Sequence, residues 1–429
     1  MRMASKQIAL LVILIACTPF FVRADTASDL TNKIADQNTA ISNLEKEIAG
    51  YQQQLTLLGK NKNTLANTIQ TLNLESKKLN ADIKVTEGKI AAENLTLESL
   101  GSSIQKTGDN IVDLKIALAK SLHEMQIDDK NSVIQSLISK QSFSALWHYN
   151  EARSAFRTGI RERTGQLSTT KNALVNHQTE VQKAKNVLLS LEAQLQDQKA
   201  INTKTQSQKN ALLKLTKNQE TNYQKIVAQK LVLKTQMESD LHDYESKLKY
   251  VLNPSLLPSS GSTTFIWPLD KVIITQLFGR TVSAARLYVS GSHNGVDFGA
   301  PVGTPVKAMA IGTVIGSGNT DTACPGASYG NWVFIKYDNG LSSVYGHLSL
   351  VKAASGTRVL PGDVVAYSGA TGYATGPHLH VSVFPNDGVA IHSFPSKACP
   401  GKTITIPTAA TNAYLDPMLY LPKSYKTAF

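Results

Sequence analysis

The chain has 429 residues, 42% of them hydrophobic and 18% charged, values that exclude both a membrane-embedded chain and a disordered one. Its formal charge of +12 includes Arg2, Lys6 and Arg23 of the N-terminal segment, and the rest is spread over both halves. No cluster of Lys and Arg interleaved with aromatics is present, so nucleic acid is excluded as a partner. The charge reads instead as affinity for an anionic wall or membrane surface.

In chain order, Arg2 and Lys6 precede an apolar run from Ile8 to Phe21, and Val22-Arg23-Ala24 offers a small-residue cleavage site. Residues 1–24 read as a secretory signal peptide, because the run falls short of the ~20 apolar residues that span a bilayer. A second reading takes Leu14-Ile15-Ala16-Cys17 as a lipoprotein processing box, which leaves Cys17 as a lipid anchor. Both readings export the chain to the cell envelope or beyond. After removal of the segment only Cys324 and Cys399 remain, each before Pro-Gly. In an oxidising compartment such a pair is expected as one disulfide, the alternative being two unpaired buried thiols.

Residues 25–252 carry a seven-residue hydrophobic repeat. Leu30, Ile34, Ile41, Leu44, Ile48, Tyr51, Leu55 and Leu58 open a register that continues through Leu118, and Ile160 to Leu195 repeat it. Asn202 and Lys209 are polar interruptions at core positions. A register kept so long predicts coiled-coil helices. Between the two stretches, residues 132–156 break register and pack apolar residues densely. They are expected to turn the chain back into an antiparallel hairpin and to form a partner-binding tip with Trp147 and Phe156 as anchors. Heptads alone leave parallel dimerisation open.

The composition changes at residues 253–264, a linker of Pro, Ser and Gly. In residues 265–429, β-branched runs alternate with glycine turns: Val272–Leu277, Pro305–Ala310, Gly312–Ile315, Trp332–Tyr337, Ser342–His347, Asp363–Ser368 and His380–Phe384. This spacing predicts a mainly antiparallel β-sheet domain. The expected architecture is multidomain, a long α-helical coiled-coil hairpin followed by that domain.

The histidines of the C-terminal half form a pattern. His293 and Asp297 make an H-x-x-x-D pair on a glycine-flanked segment, and His378-Leu379-His380 opens a predicted strand, with both imidazoles on one face. Tyr345-Gly346-His347 ends another strand. Two histidines and an aspartate meet the ligand count of a catalytic zinc site, which keeps a further position for water. Each element alone is weak; their coincidence in one domain is not.

From about Trp267 to Val383 the chain resembles the lysostaphin/LytM-type zinc metallopeptidases, which cut peptide cross-links of bacterial cell walls. The resemblance rests on Phe278-Gly279-Arg280, His293-Asn294-Gly295-Val296-Asp297, Ala300-Pro301-Val302-Gly303-Thr304-Pro305-Val306, Gly312-Thr313-Val314, Tyr345-Gly346-His347-Leu348 and Thr375-Gly376-Pro377-His378-Leu379-His380. It implies Zn2+ as cofactor, His293, Asp297 and His380 as its ligands, and His347 and His378 as the catalytic pair, with their division of labour open. His392 matches no motif and is read as structural. The stretches Asn319–Tyr329 and Pro385–Thr411, which hold the two cysteines, depart from the compact family core. The coiled coil before such a domain is also similar to EnvC-like murein hydrolase activators, which implies a membrane regulator of the FtsX type at the coil's tip. Those activators typically lack the zinc ligands. The expected function is therefore a zinc-dependent endopeptidase on peptidoglycan, used in wall remodelling or daughter-cell separation. The alternative is a non-catalytic activator of a separate amidase.

Overall fold

The computed structural model describes residues 27–58, 64–130, 143–248, 250–251, 257–258, 264–281, 284–285, 288, 290–374, 376–423 and 426–427. The expected signal segment with Cys17, most of the linker and positions 132–142 of the expected hairpin turn lie outside the described residues. Four long helices come first: α1 (Ala27–Leu58), α2 (Leu65–Lys130), α3 (Phe143–Thr216) and α4 (Glu220–Glu245). Among the described residues no helix is long and apolar enough to cross a membrane.

Helices α2 and α3 pair antiparallel within one chain, the hairpin expected from the heptads. Partners descend along α2 as they ascend along α3: Arg163 donates to Ser121 at 2.7 Å, Thr86 to Gln198 at 2.8 Å, and Ser76 to Asn202 at 3.1 Å. Asn202, a weak point by sequence, also donates to Asn80 at 2.7 Å, so the interruption is a satisfied polar layer that fixes register.

Residue contacts divide the chain into two compact units. The first combines the chain up to Asn38 with Ala91–Leu188 and is helical throughout its described residues. Leu30, Ile111 and Ala184 are among its buried residues, whereas Trp147 is 65% exposed. The second combines Thr39–Ile90 with Leu189–Phe429 and contains the whole β domain.

That domain has strands β1 (Ile273–Gln276), β2 (Val296–Gly299), β3 (Pro305–Lys307), β4 (Gly312–Asn319), β5 (Asn331–Tyr337), β6 (Leu341–Val351), β7 (Arg358–Val359), β8 (Val364–Ser368), β9 (His378–Pro385), β10 (Val389–Pro395), β11 (Thr403–Ala409) and β12 (Lys426–Thr427). The main sheet runs β12-β1-β2-β9-β6-β5-β4-β7, with β3 paired to β8 and β8 to β6. Its pairs are antiparallel except β1 with β12. Each run of alternating residues read from the sequence lies on a strand. Strand β2 is not legible in the sequence, because the three residues between Gly295 and Gly299 carry little periodicity.

Alternation sorts the sheet's two faces. Ile335, Leu379, Val381 and Val383 enter a core with Phe265, Phe298 and Val306. Trp332, Phe334, Val344 and Phe384 point oppositely, into a second core closed by Phe394, Ile404 and Ile406 of the β10–β11 hairpin. His378 and His380 share the parity of Phe384, so β9 presents them on this second face. Each fully buried large side chain here stabilises by ~1.5–3 kcal/mol.

The helices of the second unit pack on this domain in two places. Leu79 and Ile201 cover Val302 and Tyr367, and a Cβ on Gly303 would meet Leu79 at 2.8 Å. After a turn with left-handed Lys217 and Asn218 (φ 47° and 57°), α4 brings Met237 into the second core. Asp240 of α4 accepts from the amides of Lys397 and Ala398 at 2.7 and 3.1 Å, and Tyr244 stacks on Phe394. Cys324 and Cys399 form a disulfide, Cα atoms 5.8 Å apart, that ties the loop after β4 to the β10–β11 turn. Both segments that depart from the compact family core thus build the seat of α4.

Candidate metal centre

Register brings the site together. Asp297 of β2 lies directly opposite His380 of β9, Gly299 opposite His378, and Gly346 of β6 opposite His380 on its other side. His293 enters from a bridge to Gly279 just before β2. Gly295 is required where it stands: a Cβ there would meet the carbonyl of Val381 at 2.5 Å and the His380 ring at 2.6 Å.

Three atoms converge. His293 Nε2 lies 3.1 Å from His380 Nδ1 and 3.3 Å from Asp297 Oδ1, and His380 Nδ1 lies 2.9 Å from Asp297 Oδ1. Ligands about 2.0–2.1 Å from a tetrahedral zinc stand roughly 3.3 Å apart. The donor set therefore fits zinc in chemistry and, within a few tenths of an ångström, in spacing, and all three residues are buried. Neighbours hold the rings: His293 Nδ1 faces the Leu277 carbonyl at 3.0 Å, and His380 Nε2 faces Ser382 Oγ at 2.9 Å. Burial raises the Asp297 carboxyl, but hydrogen bonds and charge from His293 and His380 outweigh it and hold the group well below the usual carboxylate range. Burial lowers His380, partly offset by Asp297.

His347 and His378 sit beside this trio, ring centroids 4.6 Å apart. His347 adopts φ 59°, left-handed for a residue with a Cβ, where its amide donates to the Tyr329 carbonyl at 2.7 Å. Its Nδ1 meets the Thr371 carbonyl at 2.8 Å, and His378 Nδ1 meets that of Gly376 at 2.8 Å. Both rings thereby carry hydrogen on Nδ1 and leave Nε2 clear of these carbonyls to exchange a proton. Burial first, then the charges of His378 and His380, hold His347 well below the ordinary histidine range, so it is neutral at pH 7. His378 Nε2 stands 3.8 Å from Asp297 Oδ1. His392 pairs with Thr408 on the β10–β11 hairpin.

The groove above these residues encloses about 400 Å³. Its walls include residues that sequence reasoning did not single out: Gln276, Tyr288, Tyr329, Tyr373 and Tyr414, and Lys234, Met237, Leu241 and Glu245 from α4. Tyr373 alone had a signal, its place within Thr371-Gly372-Tyr373 just ahead of the H-x-H motif. Nothing local in the heptads marks α4 as a groove wall. Gln276 Nε2 is buried without a hydrogen-bond partner among the described residues, a donor available to a peptide carbonyl.

Residues 291–393 match Peptidase family M23. The chain is 43% identical over 115 residues to the DD-carboxypeptidase/endopeptidase Mpg of Neisseria meningitidis, covering 27% of this chain and 25% of that protein. It is 41% identical over 88 residues to the peptidoglycan DD-endopeptidase ShyA of Vibrio cholerae, covering 20% and 19%. It is 38% identical over 97 residues to the glycyl-glycine endopeptidase ALE-1 of Staphylococcus capitis, covering 22% and 25%. The chain thus spans about a quarter or less of the length of these curated relatives. Its C-terminal domain is of the peptidase M23, LytM/lysostaphin type, and the helical region before it is a coiled-coil hairpin.

Proposed function

We propose that this chain, with its M23-type domain, is a zinc-dependent endopeptidase that cleaves peptide cross-links of peptidoglycan in wall remodelling or daughter-cell separation. The observation that carries the reading is the convergence of His293 Nε2, Asp297 Oδ1 and His380 Nδ1 beside two further imidazoles in an open groove. The relatives named above are endopeptidases by name, one of them a peptidoglycan DD-endopeptidase, which supports the substrate.

Zinc held by the three donors supplies Lewis acidity, lowering the pKa of a water toward ~7 and polarising a carbonyl. The protein does the rest. Asp297, ionised and buried, offsets the charge of the centre. His347, neutral and fixed by Thr371, offers Nε2 as acceptor of the water's proton. His378, part-exposed at the groove floor, would steady the developing oxyanion through Nε2–H when protonated, and the proton taken up by His347 would pass to the leaving amine. Gln276 Nε2 orients the peptide.

The complete donor set supports catalysis over a purely activating role. The exposed Trp147 near the expected tip supports docking of a membrane regulator of the FtsX type. The test is digestion of purified peptidoglycan by the whole chain with identification of released fragments by mass spectrometry. Severed peptide cross-links, lost on chelation and restored by zinc, are expected. No fragments from the chain alone, together with stimulation of an added amidase, would instead establish the activator.

A further inference from the structure

Lys234 is a helix-surface residue by sequence, yet it is 2% exposed, because α4 lays it in the groove. Its Nζ stands 3.8 Å from the centroid of the Tyr373 ring and 5.1 Å from that of Tyr288. Both rings belong to the β domain and both are tied to the chemistry. Tyr288 stacks on the ligand His293, centroids 5.2 Å apart and planes at 13°. Tyr373 follows Thr371, whose carbonyl holds His347, and its own amide donates to Ser328 at 2.9 Å. A carboxylate paired with Lys234 is that of Glu238 at 3.3 Å, on the same helix, so this ammonium and carboxylate would leave the groove together. What stays behind is a pair of aromatic faces beside the metal centre, a surface that recognises a desolvated monocation and discriminates against its neutral acylated form.

We propose that Tyr288 and Tyr373 form a cation-accepting subsite of the groove, which takes a primary ammonium carried by the substrate peptide near the scissile bond, and that Lys234 of α4 stands in for that ammonium here. This rests on the peptidase reading and narrows it to peptides with a free amine, such as those containing an unacylated diamino acid. A tethered lysine competes at high effective concentration, so the subsite is also where a substrate displaces α4.

The test is binding, measured by calorimetry on the whole chain with two probes, a lysine-containing tetrapeptide ending in D-alanine and its Nε-acetylated counterpart. Lys234→Met keeps an apolar stem of similar length and empties the subsite. It should bind the free-amine peptide about tenfold tighter than the acetylated one, the scale of one desolvated cation–π contact. The unsubstituted chain should bind the free-amine peptide more weakly than Lys234→Met does. Adding Tyr373→Leu should erase the preference, whereas Tyr373→Phe, which keeps the ring face, should retain it. Equal affinity of Lys234→Met for both peptides, or no binding of either, overturns the subsite. These affinities are read without turnover, so a chain that hydrolyses nothing fails the peptidase reading alone and leaves this comparison decisive.

Discussion

At the residue scale, the proposed site separates holding a metal from moving a proton. His293, Asp297 and His380 supply atoms 2.9–3.3 Å apart, so replacing any of them by Ala should remove zinc and activity together. His378 lies outside that triangle, its Nε2 3.8 Å from Asp297. His378→Ala should therefore keep most of the zinc while turnover falls about 10²–10⁴-fold, the usual contribution of a positioned acid–base group. Elemental analysis paired with hydrolysis assays distinguishes the two classes, and full zinc in Asp297→Ala would remove that residue from the centre. Gly295→Ala should behave like a ligand variant although it donates nothing, since its Cβ would fall 2.6 Å from the His380 ring.

At the scale of elements, α4 is held across the groove by a few buried polar contacts, each of which can be undone. Asp240 caps the amides of Lys397 and Ala398 from a buried position. Asp240→Ala leaves those amides unpaired, at ~1–3 kcal/mol of docking stability. Faster proteolysis within α4 and faster cleavage of peptidoglycan are expected together. Glu245, buried against Tyr414 and Ala409, provides a pH response. Burial raises its carboxyl to about 7, with the hydrogen bonds from Tyr414 and Ala409 pulling the other way. A docked pKa above the undocked one means that the protonated acid is favoured in the docked state. Its contribution is fully present below the ordinary glutamate value and is lost as pH rises through about 7. Protease sensitivity of α4 should thus rise between pH 5 and pH 8, and Glu245→Gln, neutral throughout, should flatten that rise; an unchanged slope in the Gln variant would assign it to other groups. The Cys324–Cys399 bridge closes a 75-residue separation beneath the same helix. Its removal as Cys324→Ser with Cys399→Ser should lower unfolding stability by ~2–4 kcal/mol in chemical denaturation.

At the scale of the whole molecule, the helical half contributes to both compact units. Residues of the second unit, from Leu79 and Ile201 to Met237, are part of the hydrophobic packing of the β domain. The first unit leaves Trp147 65% exposed, a large aromatic with the character of a binding anchor. Trp147→Ala should leave zinc content and peptidoglycan cleavage unchanged and weaken binding to the extracytoplasmic part of an FtsX-type membrane protein by an order of magnitude. Surface-immobilised partner and calorimetry both read this, and unaltered affinity would take the anchor away from that residue. If the helical half restrains the enzyme, adding the partner should speed cleavage, while equal rates with and without it would make the hairpin a tether.

The sequence alone determined the large features, because each was written in local periodicity or in residue types that few other roles require. Seven-residue spacing gave the helices, alternation between glycine turns gave most strands, and His293, Asp297, His347, His378 and His380 stood in motifs that point to a candidate metal centre. An isolated pair of cysteines gave the disulfide. Tertiary structure decided what depends on pairs distant in sequence: that the heptads close within one chain, that Asp297 faces His380 across β2 and β9, and that Asn202 is satisfied by Ser76 and Asn80. It also decided that α4 walls the groove and lays Lys234 on Tyr288 and Tyr373. No periodicity records such a contact, for a helix face that meets solvent and one that meets another domain's groove can be built from the same polar residues, and only the packed chain distinguishes them.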